Sequence, residues 1–346
     1  MIYIHDSRDT FPRKYKLILD ANRIDNEIID SQDPDFWEKV AQADLFIYYL
    51  GMGSAQLLRQ HNLISVLDKV MGIPCFPNWK TAWHYDDKVA ETFLMNALGY
   101  PLIESHIFWE KDKALAWAAS AKYPQVFKLK NGASSINVIK VENRQHAGKL
   151  IKLMFGRGIY NNRVPGSRHF SIYKRDPYVM LRNMLKQCLE KFGIIYSQRS
   201  NDDLQKGYAY FQKFIPNNDF DTRVNVIGDA TFAFRRMNRP KDFRSSGSGN
   251  YDYDPEKINL QAVQIAQNIS REMGFQIMAY DFLIDENGSP VLNEIGCQSA
   301  GRAIPKCPGY WDWEMNWQAG HFWPQYVQLQ YLLKRKDLIQ PDFKDE

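Results

Sequence analysis

Short strand and helix signals alternate along the first 72 residues, and few folds accommodate that order. The segment "DLFIYYLG" (44–51) is a continuous apolar run, which is typical of a parallel strand buried on both faces. "MIYIH" and "NEIID" also read as strands, and helical spacing follows each strand up to Gly72. This βαβαβα order predicts a small doubly wound α/β unit. Because no G-x-G-x-x-G follows the first strand, a nicotinamide or flavin cofactor is disfavoured.

Length, charge and cysteine usage exclude several classes of protein. The 346 residues are enough for two or three domains, and the net charge of +4 is far below that of a dedicated nucleic-acid-binding protein. The sequence contains no apolar run of about 18 residues, and its start lacks the basic and apolar segments of a signal peptide. The four cysteines are scattered without a zinc-type spacing. We therefore expect a cytoplasmic protein without a specific nucleic-acid partner.

A hairpin with a loop of small residues is predicted at "VFKLKNGASSINVIK" (126–140). Strand alternation places Lys128 and Lys130 on one face and directs Phe127 and Leu129 into a core. Glycine and small hydroxyl residues let backbone N–H groups approach an anion closely. Taken alone, the stretch fits two interpretations: an ordinary hairpin with a solvated lysine face, or a cover for phosphates.

A second hairpin, "AYDFLIDENGSPVLNEIG" (279–296), carries one carboxylate on each strand. Counting across the turn at 286–288 puts Asp281 and Glu294 on the same face of adjacent strands. Two carboxylates in apolar flanks repel unless a cation compensates them. Oxygen ligands from few carboxylates suit Mg²⁺ bridged to phosphates. The alternative is a pair of exposed carboxylates on a solvated sheet face.

Arginines cluster between the two hairpins. Their rigid guanidinium forks suit carboxylate or phosphate oxygens. A nucleic-acid patch is the other interpretation, but aromatic residues are not interleaved in a base-stacking pattern. The cluster consists of Arg223, Arg235, Arg236, Arg239 and Arg244.

The order of these features resembles the ATP-grasp family, in its carboxylate–amine ligase branch of the D-alanine–D-alanine ligase, glutathione synthetase and RimK type. The resemblance runs from about Lys88 to about Arg302, and the N-terminal unit looks like the small domain that precedes it in the family. It rests on linked motifs: "DDKVAETFLMNALGYPLIES", "YPQVFKLKNGASSINVIKV", "FQKFIPNND", "AFRRMNRPKDFRSS" and "YDFLIDENGSPVLNEIG".

The resemblance implies an α/β (α+β) chain with three parts. The first, 1–85, is the small doubly wound α/β domain. The second, 86–206, is a small α+β lid domain that includes a basic insertion at 156–206. The third, 207–346, is an antiparallel-sheet α+β domain with the metal site and a Trp-rich tail.

The resemblance also implies roles for individual residues. Lys88 and Lys128 would contact the phosphates of ATP, and the 131–135 loop with Ser134 and Ser135 would close over them. Gln212 takes the hinge position, where the family often has Glu. The backbone of Lys213 and Phe214 would form hydrogen bonds to adenine, and Asp219 would accept the ribose hydroxyls. Asp281 and Glu294 would bind Mg²⁺. Gly296 departs from the family, which has a metal-binding Asn there, so the number of metal ions stays open.

The implied activity is ATP-dependent ligation, in which a substrate carboxylate becomes an acylphosphate and an amine captures it. Arg235, Arg236 and Arg302 are candidates for stabilising the acylphosphate and orienting the carboxylate. The substrates stay open between a surface-polysaccharide precursor and a peptide or amino acid. A non-catalytic ATP-binding regulatory or scaffold module is the alternative function. A membrane-associated or lipid-linked acceptor at the basic insertion, and a homodimer, are further open alternatives.

Overall fold

The computed structural model describes residues 1–7, 10–51, 54–132, 135, 137–161, 164–165, 203–240, 242–298 and 301–342. The chain divides into two compact units. The first unit contains 1–51, 57–85 and 218–346, and the second contains 52–56 and 86–217. Most of the basic insertion at 156–206, including all of 166–202, lies outside the described residues.

The N-terminal part of the first unit is a parallel sheet, as predicted. Its strand order is β2-β1-β3-β4, and all three pairings are parallel. Ile4, Phe46 and Ile47 are fully buried, as expected for strands covered on both faces. The predicted helix before Gly72 is present, and its last six residues, Ser65–Val70, form a π-helix. The elements are β1 (Ile2–His5), α1 (Thr10–Ala21), β2 (Asn26–Ile29), α2 (Phe36–Val40), β3 (Leu45–Ile47), α3 (Ser54–Ile64), β4 (Cys75–Phe76) and α4 (Trp79–Ala82).

The second unit is an antiparallel sheet of order β5-β10-β6-β7 with helices packed on it. Its first helix begins after Asp87, whose side chain accepts hydrogen bonds from the N–H groups of Val89 and Ala90, and Gly99 ends the helix at a φ of 69°. Phe127, Leu129 and Phe211 are fully buried in its core. The elements are α5 (Lys88–Leu98), β5 (Ser105–Phe108), α6 (Lys111–Ser120), β6 (Gln125–Lys128), β7 (Val138–Val141), α7 (Arg144–Met154), β8 (Ile159–Tyr160), β9 (Leu204–Gln205) and β10 (Ala209–Lys213).

The C-terminal part of the first unit is a second antiparallel sheet, of order β15-β14-β11-β12-β16-β17, with β13 paired to β12. A long helix precedes the second hairpin and is capped by Asn259 at its start and by Gly274 at its end. Val224, Phe234 and Tyr280 are fully buried in this sheet. The elements are β11 (Phe220–Ile227), β12 (Ala230–Met237), β13 (Tyr251–Asp252), α8 (Leu260–Met273), β14 (Ile277–Ile284), β15 (Pro290–Gly296), β16 (Gly309–Trp311), β17 (Trp317–Ala319) and α9 (Pro324–Leu333).

Together these sheets confirm the predicted fold class: a parallel N-terminal sheet, a middle antiparallel sheet and a C-terminal antiparallel sheet. Within the described residues, none of the helices has the length and apolar run that crossing a lipid bilayer requires.

Candidate functional site

The lysine hairpin is present, with β6 and β7 antiparallel and Lys128 opposite Val138. Lys128 is buried, with an exposed fraction of 4%, so the solvated lysine face does not apply to it. Lys130 lies beyond the end of β6, and its half-exposed ammonium is 3.6 Å from Asp87. The two lysines predicted to share a face therefore have different environments.

Lys88 is also buried and is bonded to the start of the small-residue loop. Its Nζ donates to the carbonyl oxygen of Gly132 over 2.8 Å, and its backbone N–H donates to the carbonyl of Lys130. The N–H of Gly132 donates to Oδ1 of Asp86 over 2.7 Å. These bonds hold the first residues of the loop against the N-terminus of α5. Ser135 lies in the loop with a φ of 59°, and Ser134 is outside the described residues.

The hinge residues lie at the end of β10, and some of their polar groups already have partners. Gln212 is buried, and its Nε2 donates to Oγ of Ser105 over 3.2 Å. The N–H of Lys213 donates to the carbonyl of Glu104, and the Nζ of Lys140 lies 4.6 Å from the centre of the Phe214 ring. Because the Lys213 N–H already donates to Glu104, this segment would have to form hydrogen bonds to adenine through other backbone groups.

Asp281 and Glu294 are directly opposite each other on β14 and β15, as predicted, and a β-bulge between Asp281 and Phe282 sets this pairing. The cations that compensate Asp281 are arginines. Arg223 donates to both of its carboxylate oxygens, from Nε over 2.7 Å and from Nη2 over 2.8 Å. Nη2 of Arg236 lies 2.7 Å from Oδ2 of the same carboxylate, and Arg236 also donates twice to Asp221.

This network is almost completely shielded from water, since Asp221, Arg236 and Asp281 are each exposed by 5% or less. Burial alone would raise the pKa of Asp281. Arg223 and Arg236 outweigh it and hold the pKa of that carboxyl well below its usual range. Asp281 is therefore ionised and committed to two guanidinium groups.

The residues fit a magnesium site at Asp281 poorly. Both of its oxygens accept hydrogen bonds from Arg223, and a metal would have to displace a bidentate, charge-assisted pair. Gly296 offers no side chain where the family has Asn. In the described ranges no group of three or more His, Cys, Asp or Glu is arranged to hold a metal ion.

The other predicted residues of the first unit lie apart from this network. Arg235 follows the alternation of β12 and points away from Arg236. It pairs with Asp252, and its guanidinium carbon lies 4.6 Å from the centre of the Phe220 ring. Asp219 is exposed, and its carbonyl accepts from the N–H of Asn238. Arg302 is exposed and lines a cavity.

Sequence reasoning assigned no site role to Asp221 or Arg223, although both belong to the network around Asp281. The signal was available in "DTR" (221–223), because residues two apart on a strand share a face. Their partners follow from register: Asp221 lies opposite Arg236 on β12, and Arg223 lies opposite Asp281 on β14.

No family model matches the chain, and no curated protein matches it. Solved structures do match. A RimK domain ATP-grasp protein from Sphaerobacter thermophilus is 14% identical over 96% of this chain and 99% of its own, with a TM-score of 0.54. The chain has the ATP-grasp fold.

Two further matches illustrate the range of proteins with this fold. The ATP-grasp ligase PsnB, solved with a minimal precursor, is 13% identical over 97% of this chain and 98% of its own, with a TM-score of 0.57. The biotin carboxylase domain of a 2-oxoglutarate carboxylase from Hydrogenobacter thermophilus, solved with ADP, its magnesium salt and bicarbonate, is 13% identical. That match covers 96% of this chain and 69% of the other, with a TM-score of 0.54.

Proposed function

We propose that the protein is an ATP-dependent ligase that activates a small carboxylate as an acylphosphate and joins it to an amine. The observation that carries the proposal is the pair of buried lysines, Lys88 and Lys128, at the base of a small-residue loop in an ATP-grasp fold. Lysine ammonium groups are compact point charges that bind phosphate oxygens.

In this proposal the second unit supplies groups for the nucleotide. Lys88 and Lys128 bind phosphate oxygens, and the loop with Ser134 and Ser135 excludes water from them. Gln212, Lys213 and Phe214 border the adenine. Asp219 remains the predicted acceptor for the ribose hydroxyls.

The reaction needs no protein nucleophile. A carboxylate oxygen forms a bond to the γ-phosphorus while the bond from that phosphorus to the bridging oxygen of ADP breaks. The amine then attacks the acyl carbon, phosphate leaves, and the amine proton passes to phosphate or water. Arg302 is the better candidate for orienting the carboxylate, because Arg235 and Arg236 already pair with Asp252 and with Asp221 and Asp281.

The likeness implies Mg²⁺ with ATP, as in the magnesium ADP complex named for one structural match. The family positions for it are Asp281 and Glu294, but no step is assigned to a metal here because Asp281 is bonded to two arginines. This bonding, together with Gly296, favours a second candidate: an ATP-binding regulatory or scaffold module without turnover. Polysaccharide precursors, a lipid-linked acceptor at 156–206 and a homodimer remain predictions.

The test measures ADP release from purified protein over a matrix of carboxylates and amines, with ATP and either Mg²⁺ or a chelator. We expect release only when both substrates are present, and a loss of at least about a hundredfold in Lys128→Met if Lys128 binds the transferring phosphate. The matched control is Lys152→Met, on the exposed face of α7, which should behave as the wild type.

ATP binding, measured by calorimetry, separates the two candidate functions. Tight ATP binding without ADP release over the whole matrix would favour the regulatory module. Absence of ATP binding in the wild-type protein would refute both.

A further inference from the structure

The first unit contains a cavity of about 310 Å³ that Arg302 lines together with residues of the N-terminal sheet. Tyr48, Tyr49 and Leu50 line it directly after β3, and Phe76 and Pro77 line it at the end of β4. In open α/β sheets, ligands bind outside the carboxyl ends of the parallel strands. The cavity occupies that position in the N-terminal sheet.

The cavity also borders the hairpin that carries the charge network. Ile277 begins β14, and Cys297 and Gln298 directly follow β15. Glu294 is three residues before Cys297, which corresponds to roughly 10 Å along an extended strand. A ligand in the cavity would therefore lie near the carboxylate hairpin without replacing its ion pairs.

The charge of the lining is positive. Arg302 and Lys14 are among the lining residues, and none of the described lining residues is Asp or Glu. The Nζ of Lys14 lies 3.7 Å from the centre of the Trp323 ring, so that ammonium is positioned by an aromatic face. A carboxylate would find complementary charge here, whereas an ammonium group would find none.

One buried polar atom on a lining residue lacks a hydrogen bond. Among the described residues, Oε1 of Gln325 finds no hydrogen-bond partner, and Gln325 is 9% exposed. Tyr48, which is 1% exposed, has Arg59 and Gln60 close to its hydroxyl, and burial raises the pKa of the phenol, which stays neutral. Buried polar atoms without a partner are rare and call for a ligand or water.

We propose that this cavity binds the carboxylate substrate of the ligase rather than its amine. The ligand is a small anion with an apolar body, which packs against Phe11, Tyr49 and Phe76, and with a neutral N–H or O–H that donates to Gln325. That the bound anion is a substrate rests on the proposed ligase function. The binding chemistry rests on the cavity itself.

The volume restricts the size of this ligand. Small-molecule sites typically span about 300–1,000 Å³, so the cavity is at the lower end of that range. It accommodates a single ring or a molecule of amino-acid size. A monosaccharide precursor and an amino acid both have this size, so the volume favours a small carboxylate of either kind over a long peptide or glycan chain.

The test uses N-benzoylglycine, which combines a ring, an amide N–H and a carboxylate, and measures its dissociation constant by calorimetry without nucleotide. We expect saturable binding, and weakening of at least about tenfold in Arg302→Gln, because a charge-assisted hydrogen bond is lost. The control Arg335→Gln removes an exposed arginine paired with Asp337 and should leave binding unchanged.

Matched probes examine each group of the ligand. 4-Oxo-4-phenylbutanoate replaces the N–H with a methylene, so it should bind to the wild type more weakly than N-benzoylglycine does. In Gln325→Leu, which lacks the acceptor for that N–H, the two compounds should bind with equal affinity. N-(2-aminoethyl)benzamide carries an ammonium instead of the carboxylate and should not bind. The phosphonate analogue of N-benzoylglycine distinguishes a carboxylate site from a phosphate site, and we expect it to bind more weakly.

Several results would overturn the inference: no saturable binding of N-benzoylglycine up to its solubility limit, unchanged affinity in Arg302→Gln, equal binding of the ammonium probe, or tighter binding of the phosphonate. The readout is independent of the ligase proposal, because Lys128→Met should retain probe binding. Probe binding without ADP release would refute the ligase and leave an anion site. ADP release without probe binding would refute the cavity assignment alone.

Discussion

At the scale of single residues, Asp281 was predicted in the right place, but the groups that compensate its charge were not. The register next to the turn, in which Ile284 lies opposite Pro290, would by itself put Asp281 opposite Asn293; a β-bulge between Asp281 and Phe282 shifts the register and brings Glu294 opposite Asp281. The compensating charges come from β11 and β12, whose register with β14 is not readable from the hairpin alone. The arginine partners of Asp281 were therefore beyond prediction from that motif.

Asp281→Asn should destabilise the protein strongly. The substitution leaves Arg223 and Arg236 beside a neutral amide in a buried setting, and breaking a buried ion pair in this way typically costs about 3–5 kcal/mol. Urea unfolding would show this as a lower midpoint at an unchanged slope.

The matched control is Asp337→Asn, which removes the carboxylate from an exposed pair with Arg335 and should leave the midpoint unchanged. An Asp281→Asn variant as stable as the wild type would contradict the network. If it is destabilised as expected, loss of activity in the same variant is no proof of a metal ligand.

At the scale of elements, the features that depend on residues close in sequence are the ones that the sequence reveals. The Asp87 cap, the end of α5 at Gly99 and both hairpins follow from side chains close in sequence. The position of β10 between β5 and β6 does not, because those pairings join residues about 80 to 105 positions apart. The burial of Lys128 depends on that long-range pairing, which is why the sequence left a solvated lysine face open.

The start of the loop that we propose covers the phosphates should tolerate no side chain at Gly132. Its φ is 112°, and a Cβ there would overlap Nδ2 of Asn137, which donates to the carbonyl of Asn131 over 3.0 Å. We expect Gly132→Ala to displace Asn137 and weaken ATP binding by about tenfold or more through loss of preorganisation.

Gly207→Ala is the control, since Gly207 has a φ of 81° in the same unit and open space where the added methyl group would lie. It should cost only the strain of a left-handed residue, about 1–2 kcal/mol of stability, without a change in ATP affinity. Equal ATP affinity in Gly132→Ala and the wild type, measured by calorimetry, would remove the loop from the nucleotide site.

At the scale of the whole molecule, the alternating strands and helices predicted the parallel sheet, and the two hairpins predicted antiparallel sheets, so the fold class was available from the sequence. The cavity was not. Its lining comes from residues near 11, 48, 76, 277, 298 and 325, which no single motif contains. Such a site is a product of tertiary packing, and sequence reasoning detected only Arg302.

Two buried histidines of the first unit make its stability depend on pH. Burial lowers the pKa of His5 from 6.5 to about 4, and Asp30 opposes that shift only in part. Burial also lowers the pKa of His84 to about 4, with a further contribution from His61. In the described part of the chain neither ring nitrogen of His84 has a hydrogen-bond partner. Both rings are therefore neutral in the folded protein at neutral pH.

The unfolded chain takes up protons at these histidines near pH 6.5, whereas the folded chain does so only near pH 4. Stability is thus fully present above pH 6.5 and falls as the pH drops toward 4, by about 2 kcal/mol at pH 5 for one such histidine.

His84→Phe, which keeps an aromatic ring in the buried site, should lose less stability than the wild type between pH 7 and pH 5 in urea unfolding. His321→Gln, at an exposed position, should follow the wild-type curve. If His84→Phe and the wild type lose equal stability over this range, His84 is not the group that makes the fold sensitive to acid.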